Sequence, residues 1–173
     1  LTESPPNDPA GVMLKSASEA PLWEVIMLGY HMMHQIARRN TFPGTFKNGI
    51  GTVLMFVVRS IFSLPGRLEE TMASLAAAGK IPNWLDKDAP LDFLIHHEGG
   101  AKSVIDAAYR YAGHERGSDI ILFGSGIIDH IRTNIASILS PPLPPQDLKK
   151  LEDLFGHLEG VGLDLPESRA KRA

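Results

Sequence analysis

The sequence predicts an α/β fold built from parallel β/α units, and three apolar runs indicate it. The runs cover residues 23–30, 50–58 and 119–124, and helix-compatible segments lie between them. Strands that are apolar along their whole length are typical of parallel sheets, because helices cover both faces of such sheets. The third run contains four consecutive large apolar residues, so we expect a strand that is buried on both faces.

The spacing of apolar residues predicts the helices. The expected helices cover residues 10–20, 67–79, 102–112, 127–139 and 146–156. Gly79 is a natural C-cap for the second of them. Residues 43–48 are expected to form the end of a helix that returns to Gly49.

The connections between these elements are less regular. Prolines exclude regular structure from residues 2–9, and a rigid Pro-rich connector occupies residues 141–145. Residues 31–39 fit either a loop or a helical turn, and residues 89–94 are ambiguous. We expect the Gly-containing tail from Glu159 onward to be peripheral.

Composition narrows the class of protein. The chain has 173 residues, with 17 Lys and Arg against 20 Asp and Glu, and no Cys. This length indicates one domain with a real core, and the balanced charge gives no sign of a nucleic-acid partner. No run is long and apolar enough to cross a membrane, and no signal peptide is visible, so we expect a cytoplasmic protein. The first residue is Leu1 and not Met, which makes a processed chain or a fragment the expectation.

A glycine-rich turn follows the third predicted strand. Gly124 and Gly126 flank Ser125, and a predicted helix begins directly afterwards. Unpaired amides and the helix dipole point at the same place in such a turn, so the pattern favours an anion site for a nucleotide phosphate. A plain strand-to-helix connection is the more common interpretation of a Gly-x-Gly turn taken alone.

Several motifs, in their order along the chain, resemble the aldo-keto reductase family. They are the run from Thr2 to Asp8, the strand from Val25 to His31, the entry from Asn48 to Thr52 followed by Met55 and Phe56, the turn from Phe123 to Gly126 with Asn134 after it, and Pro142-Leu143-Pro144 before a Leu-rich helix. The resemblance spans nearly the whole chain but only the C-terminal half of that family's (β/α)8 barrel. Three strands are too few for a closed barrel, which needs roughly 250 residues.

The resemblance therefore implies an incomplete barrel. Residues 1–173 would be a partial NAD(P)-dependent oxidoreductase domain, with β/α units over residues 1–139. Residues 140–173 would then hold the Pro-rich connector, the C-terminal helix and the tail. Leu1 would end the fifth strand of the barrel, and the three visible strands would be the sixth, seventh and eighth.

The resemblance also implies NADP or NAD as the cofactor. In the family, the turn after the eighth strand cradles the cofactor phosphates, and it corresponds to Gly124, Ser125 and Gly126. The following helix supplies a basic residue and an Asn to the adenosine end, and His130 and Asn134 occupy those places. A Lys is common at the position of Gly124 and an Arg at that of His130, so their absence weakens a preference for NADP over NAD.

The nicotinamide end departs further from the family pattern. Met55 stands where an aromatic residue stacks on the nicotinamide, with Phe56 next to it, although a Met can also pack on a flat ring. Met27 replaces the amide side chain of the sixth strand, and Thr2 and Glu3 stand where Ser and Asn are usual. We nevertheless include Met55 and Phe56 among the expected cofactor contacts.

The catalytic residues of the family have no counterpart in this sequence. Its Asp, Tyr, Lys and His lie on the first four strands, upstream of the segment that corresponds to Leu1. We therefore assign no catalytic residue, and we expect no turnover by this chain alone, since no tuned proton donor is evident. Completed by an N-terminal half, it would move hydride between a nicotinamide and a small carbonyl or sugar-like substrate. The alternative is a non-catalytic half-barrel that binds a partner or associates with itself through exposed strand edges.

Other residues that could carry chemistry have simpler interpretations. The spacing of His31 and His34 would suit zinc on a helix, but no third ligand is nearby, and we assign no metal site. The remaining candidates are expected to be structural. Residues 96–98 should form a solvated loop, and His114 and His157 should lie on the surface. We expect Trp84 to anchor a loop over apolar surface, one of Tyr109 and Tyr111 to be packed and the other exposed, and the core to contain Met27, Met32, Met33 and Met55.

Overall fold

The computed structural model describes residues 1–86 and 88–163, in which parallel strands alternate with α-helices. The strands are β1 (Val25–Gly29), β2 (Gly51–Met55) and β3 (Ile120–Ile121). The helices are α1 (Val12–Glu19), α2 (Ala37–Asn40), α3 (Phe42–Asn48), α4 (Ser60–Ser63), α5 (Arg67–Ala77), α6 (Val104–Gly113), α7 (Ile128–Ile138) and α8 (Pro145–Phe155). The predicted α/β class with parallel strands is confirmed.

The sheet has the order β1-β2-β3, and β2 pairs in parallel with both neighbours. Val25 of β1 stands opposite Gly51, and Val53 of β2 stands opposite Ile120. The sheet is not closed. Along the outer edge of β1, Thr2 forms a parallel bridge with Met27, whose amide donates to the Leu1 carbonyl at 2.8 Å. Residues 1–3 thus occupy the position of a further parallel strand.

The core lies between the sheet and the helices that connect its strands. Leu28 of β1 and Leu54 of β2 are fully buried, as are Met32 and Met33 in the turn after β1. Met27 and Met55 are only half-buried, so the predicted Met core is confirmed for two of its four members. Burial alternates along β2, where Thr52 and Leu54 are buried and Val53 and Met55 are half-buried, so one face of this strand is covered more fully than the other.

The prediction of a β3 buried on both faces is wrong. The strand has two residues, and Ile120 and Leu122 are 58% and 50% exposed. β3 is the edge strand of the open sheet, so one side of it has no neighbouring strand to cover it. Four apolar residues in a row look the same in a central strand and in an uncovered edge strand, and the sequence pattern does not separate them.

Several local predictions also need correction. Pro5–Asn7 form a 3-10 turn inside the segment expected to lack regular structure. Trp84 is 70% exposed and does not anchor its loop over apolar surface. The tail was expected to be peripheral from Glu159 onward, but Leu163 in it is buried. Residues 164–173 of the tail lie outside the described residues. Residues 31–39, which fitted either a loop or a helical turn, form a turn followed by α2. The ambiguous residues 89–94 contain a 3-10 turn over Asp92–Leu94.

A small polar brace joins the start of β2 to the start of β3. The hydroxyl of Thr52 donates to the Gly117 carbonyl at 2.5 Å, and the Thr52 amide donates to Asp119 at 2.7 Å. Gly117 lies against Phe42, and a Cβ built there would be 2.2 Å from the Phe42 ring. Only glycine fits at this point, because the helix α3 and the approach to β3 meet there.

We expect the substitution Gly117→Ala to lower the free energy of unfolding by about 3 kcal/mol, because Phe42 must move to admit a methyl group. Urea denaturation measures this change. Gly126→Ala is the matched control, since a Cβ there meets nothing within 4 Å and the expected change is small. Equal effects of the two substitutions would contradict the packing seen around Gly117.

Candidate functional site

A cleft of about 440 Å³ opens where β2 and β3 end. Its walls come from the segments after β2 and β3 and from the helices α4, α6 and α7. The lining residues are Phe56, Val57, Val58, Ser63, Ser103, Ile105, Tyr109, Leu122, Phe123, Gly124, Ser125, His130, Thr133 and Asn134. Sites in parallel α/β folds occur at the carboxyl ends of the strands, which is where this cleft lies.

The structure brings together five of the seven residues that the sequence singled out as cofactor contacts. Phe56, Gly124, Ser125, His130 and Asn134 all line the cleft.

The other two predicted contacts are not among the lining residues. Met55 is the last residue of β2, and its carbonyl accepts a hydrogen bond from the Tyr30 amide at 3.1 Å. Gly126 is exposed, with open space around its Cα.

Gly124 and Ser125 of the turn after β3 line the cleft. The Ile127 amide donates to the Ser125 hydroxyl at 3.1 Å, and α7 begins directly after it without a side-chain cap. The first amides of a helix have no partner within the helix, and the helix dipole adds positive potential there. A Cβ at Gly124 would meet nothing within 4 Å, so the turn has room for a bound group beside its backbone.

Phe56 stands in a strained conformation at the end of β2. Its φ is 68°, and it is the one residue other than glycine with positive φ among the described residues. The guanidinium of Arg59 stacks over its ring at 4.2 Å from the centroid. Strain of this kind is concentrated at binding and catalytic sites, where the surrounding structure holds it in place. The Arg59 contact supports the Phe56 ring beside the cleft that this residue lines.

Both tyrosines of α6 are buried, so the prediction that one of them is exposed is wrong. Tyr109 lines the cleft and packs edge-on against Phe123, with ring centroids 5.7 Å apart. Tyr111 faces the opposite side, where its ring stacks on Tyr30 at 5.7 Å. α6 is covered on both sides, which spacing alone did not reveal. Burial raises the pKa of Tyr109 and of Tyr111, so both hydroxyls stay protonated at neutral pH.

Tyr30 and Tyr111 belong to a buried polar network outside the cleft. The Tyr30 hydroxyl donates to Glu115, and Arg38 donates to the same carboxylate at 2.6 Å. The two tyrosine hydroxyls are 3.1 Å apart. This network ties the end of β1 to α2 and α6. Each member has a partner, so it stabilises the fold and offers no group to a ligand.

A second polar cluster lies beside the end of β1. The Glu3 carboxylate accepts a hydrogen bond from the Gly29 amide at 2.7 Å and is 5% exposed. Burial raises the pKa of Glu3 to about 7, although the Gly29 bond opposes the shift and nearby Asp8 adds to it. The sequence marks Glu3 only as a departure from the family pattern, and no local pattern indicates its burial.

His31 and His34 follow β1 and are fully buried, with ring centroids 5.9 Å apart. Burial lowers the pKa of His31 to about 3, and His34 and Arg59 add to this effect. Burial likewise lowers the pKa of His34 to about 4. The tail covers the pair, since the Gly160 amide donates to His34 Nδ1 at 3.4 Å.

No metal-binding group was found in the parts of the chain that the structure covers. Among these residues, no three or more His, Cys, Asp or Glu side chains converge on a point where an ion could bind. His97 and Glu98 are exposed, while His96 bonds to Asp147 at 2.9 Å. His114 and His157 lie on the surface as expected, where they bond to backbone carbonyls. Within residues 1–86 and 88–163, no helix is both long and apolar enough to cross a bilayer.

Matches among solved structures include two forms of one enzyme. The holo form of aldo-keto reductase AKR11C1 from Bacillus halodurans aligns with a TM-score of 0.54 and 14% identity, covering 87% of this chain and 48% of that one. The apo form aligns with a TM-score of 0.57 and 16% identity, covering 89% and 49%. The fold is similar to part of an aldo-keto reductase. This chain spans about half the length of the aldo-keto reductase structures that it matches.

Sequence comparison does not extend this result. No protein-family model matches the sequence, and no curated protein matches it. At 14% and 16% identity, the structural similarity concerns the fold and not the residues of a site.

We expect the free energy of unfolding to rise with pH between about 4.5 and 6.5. In this range the unfolded chain protonates both buried histidines, while the folded chain keeps them neutral. Glu3 acts in the opposite direction, because its carboxyl is protonated in the folded chain and ionised once unfolded. Unfolding therefore takes up about one net proton, which corresponds to about 1.4 kcal/mol per pH unit.

Urea denaturation at a series of pH values measures this slope. In the double variant His31→Asn with His34→Asn, Glu3 is the one group of these three that still changes its proton binding on unfolding. The slope should therefore reverse, and stability should fall with rising pH. His157→Asn, on the surface, is the control and should keep the original slope. A double variant with an unchanged slope would show that the two imidazoles are not neutral in the folded chain.

Proposed function

We propose that the cleft binds a nicotinamide dinucleotide, NADP or NAD, and that the chain is the cofactor-binding part of an aldo-keto reductase-type oxidoreductase. The observation that carries this proposal is the meeting of the turn residues Gly124 and Ser125, one face of α7 and the strained Phe56 in one cleft. The fold similarity to an aldo-keto reductase solved in a holo form supports it.

The residues present fit such a ligand. Amides of the Gly124–Gly126 turn and the first turn of α7 would hold the diphosphate, because a helix N-terminus offers N–H donors and a favourable dipole to an anion. Asn134 and His130 would face the adenosine, and Phe56 would pack against the nicotinamide, in the places that the family resemblance gives them. Gly124 leaves open space where a side chain would stand against the phosphates.

A bound nicotinamide would supply the hydride for reducing a carbonyl carbon, or accept one from a hydroxyl-bearing carbon. The chain's own contribution is to bind and orient that cofactor. We propose that the proton donor and the pocket for a small carbonyl or sugar-like substrate come from an N-terminal half of the barrel. The chain alone should then bind cofactor without reducing carbonyl compounds.

We expect NADH to bind to the full chain and the Asn134→Leu substitution to weaken that binding by about tenfold, because the apolar isostere removes hydrogen bonds in the half-buried cleft. Fluorescence titration measures the dissociation constant. Asn83→Leu, in an exposed loop outside the cleft, is the matched control and should bind NADH as the original chain does. Equal weakening in both variants, or no binding of NADH or NADPH at all, would refute a dinucleotide site here.

The open edge of the sheet supports a second candidate function, self-association. Ile120 of β3 and Leu122 directly after it are exposed, and Ile128, Ile135 and Leu139 are exposed along α7, which follows them in the chain. An apolar edge strand is a template for pairing with another chain. In this alternative, the chain is a non-catalytic half-barrel whose β3 edge binds a second copy or another partner.

We expect the purified chain to form dimers or larger species, because burying this edge removes apolar surface from water. Light scattering coupled to size exclusion gives the mass, and the Ile120→Lys substitution should shift it toward the monomer. Leu64→Lys is the control, since Leu64 is 55% exposed but lies away from β3. A compact monomer at high concentration would count against self-association.

A further inference from the structure

We infer that residues 158–163 form a strap over His31 and His34, and that the strap opens when this buried pair takes up protons. The strap follows α8, and none of its residues lines the cleft. The inference therefore concerns a second region of the molecule and holds whatever the cleft binds.

The strap is anchored at both ends and crosses an imidazole in between. Leu158 and Leu163 are 2% and 3% exposed. Between them, Gly160 and Gly162 have φ values of 70° and 66°, in the left-handed region that favours glycine. A Cβ built at Gly162 would stand 3.2 Å from Cε1 and Nε2 of His31, so the backbone of the strap lies directly against this ring.

Each imidazole of the pair accepts a backbone hydrogen bond at Nδ1. The Met33 amide donates to His31 at 3.2 Å, and the Gly160 amide of the strap donates to His34 at 3.4 Å. A neutral imidazole that accepts at Nδ1 carries its proton on Nε2, so a second proton must go to Nδ1. There it would face an N–H group, and two donors cannot bond to each other. Protonation of His34 therefore breaks its hydrogen bond to the strap.

The surroundings of the pair also oppose a positive charge. The ring centroids are 5.9 Å apart, so a charge on one ring acts against a charge on the other. Arg59, which precedes α4, adds positive charge beside His31, and burial disfavours the charged form of both rings and lowers both pKa values. On the strap Glu159 is exposed to water, and on α5 Arg67 pairs with Glu70 at 3.4 Å. A proton on either ring is better accommodated once water reaches the pair.

The strap has room to move away from the imidazoles. A cavity of about 330 Å³ is lined by Val161 and Gly162 of the strap and by residues of α5. Opening replaces the contact between backbone and imidazole by water, which hydrates a charged ring. Opening of the strap and uptake of protons are therefore linked, and each favours the other.

Hydrogen exchange of the full chain, followed by mass spectrometry and corrected for the intrinsic pH dependence of exchange, measures the opening. Between pH 6.5 and 5, we expect the protection of the strap amides to fall by at least about tenfold. Each histidine that has its ordinary pKa in the open state contributes about tenfold per pH unit below that value. Amides of β1 and β2 should exchange more slowly than the strap throughout, because the sheet stays folded while the strap opens.

The double variant His31→Asn with His34→Asn removes the titrating groups and supplies a side-chain oxygen that can accept the same backbone bonds. Its strap protection should change by less than about twofold over this pH range. His97→Asn is the matched control, because His97 is exposed, and it should keep the fall seen in the original chain.

Loosening the strap tests the same link in the opposite direction and leaves both histidines in place. Gly162→Ala should raise the pKa of His31 and His34 by at least about one pH unit, since an alanine at this φ favours the open strap. Nuclear magnetic resonance titration of the imidazole C2 protons measures the change. Gly79→Ala is the matched control, because its φ is also 66° and a Cβ there meets nothing within 4 Å.

Three results would overturn the inference. The first is exchange of the strap amides as slow as that of β1 and β2, which would show that the strap opens only when the chain unfolds. The second is a pH dependence of strap protection that persists in the folded double variant. The third is an equal effect of Gly162→Ala and Gly79→Ala on the pKa of the two histidines.

Discussion

The parallel pairing of β2 with both of its neighbours is the constraint on which the rest of the structure depends. Since all strands run in one direction, their carboxyl ends lie at one edge of the sheet, and the segments that follow them meet there. Phe56 and Gly124 are far apart in sequence and line the same cleft for this reason. The polar brace from Thr52 to Asp119 fixes the opposite ends of β2 and β3, so the two cleft-forming segments have a defined separation.

Two polar regions lie near this edge, and burial affects them differently. In the cleft, hydroxyls, an amide and backbone N–H groups remain partly open to water, and they can exchange water for a ligand at little cost. Beside β1, Glu3, His31 and His34 are sealed from water, and burial keeps all three from being fully charged at neutral pH. The second region therefore restricts the pH range of the fold, while the first is the better place for a ligand.

Sequence patterns predicted the parts of this structure that follow from local chemistry. Apolar runs located β1 and β2, helical spacing located α5 and α7, and the glycines indicated the turn at Gly124. The exposure of side chains was less predictable, because it depends on tertiary contacts with residues distant in sequence. The edge position of Ile120, the burial of both faces of α6 and the packing of the tail on His34 come from tertiary neighbours that no local pattern describes. The strained backbone of Phe56 is of the same kind, since an aromatic residue gives no sign of positive φ.

The cleft and the open edge of the sheet are not independent features. Leu122 lines the cleft, and it also follows the exposed edge strand directly, with its amide bonded to Leu54 at 2.8 Å. Any chain that covers β3 would pack against Leu122 and fix one wall of the cleft. A ligand in the cleft would in turn hold Leu122 and the turn after it in place. Two binding events that order the same residues must influence each other's free energy, and the influence is reciprocal. We therefore expect a partner on the edge and a ligand in the cleft to affect each other's binding through the segment from β3 to α7.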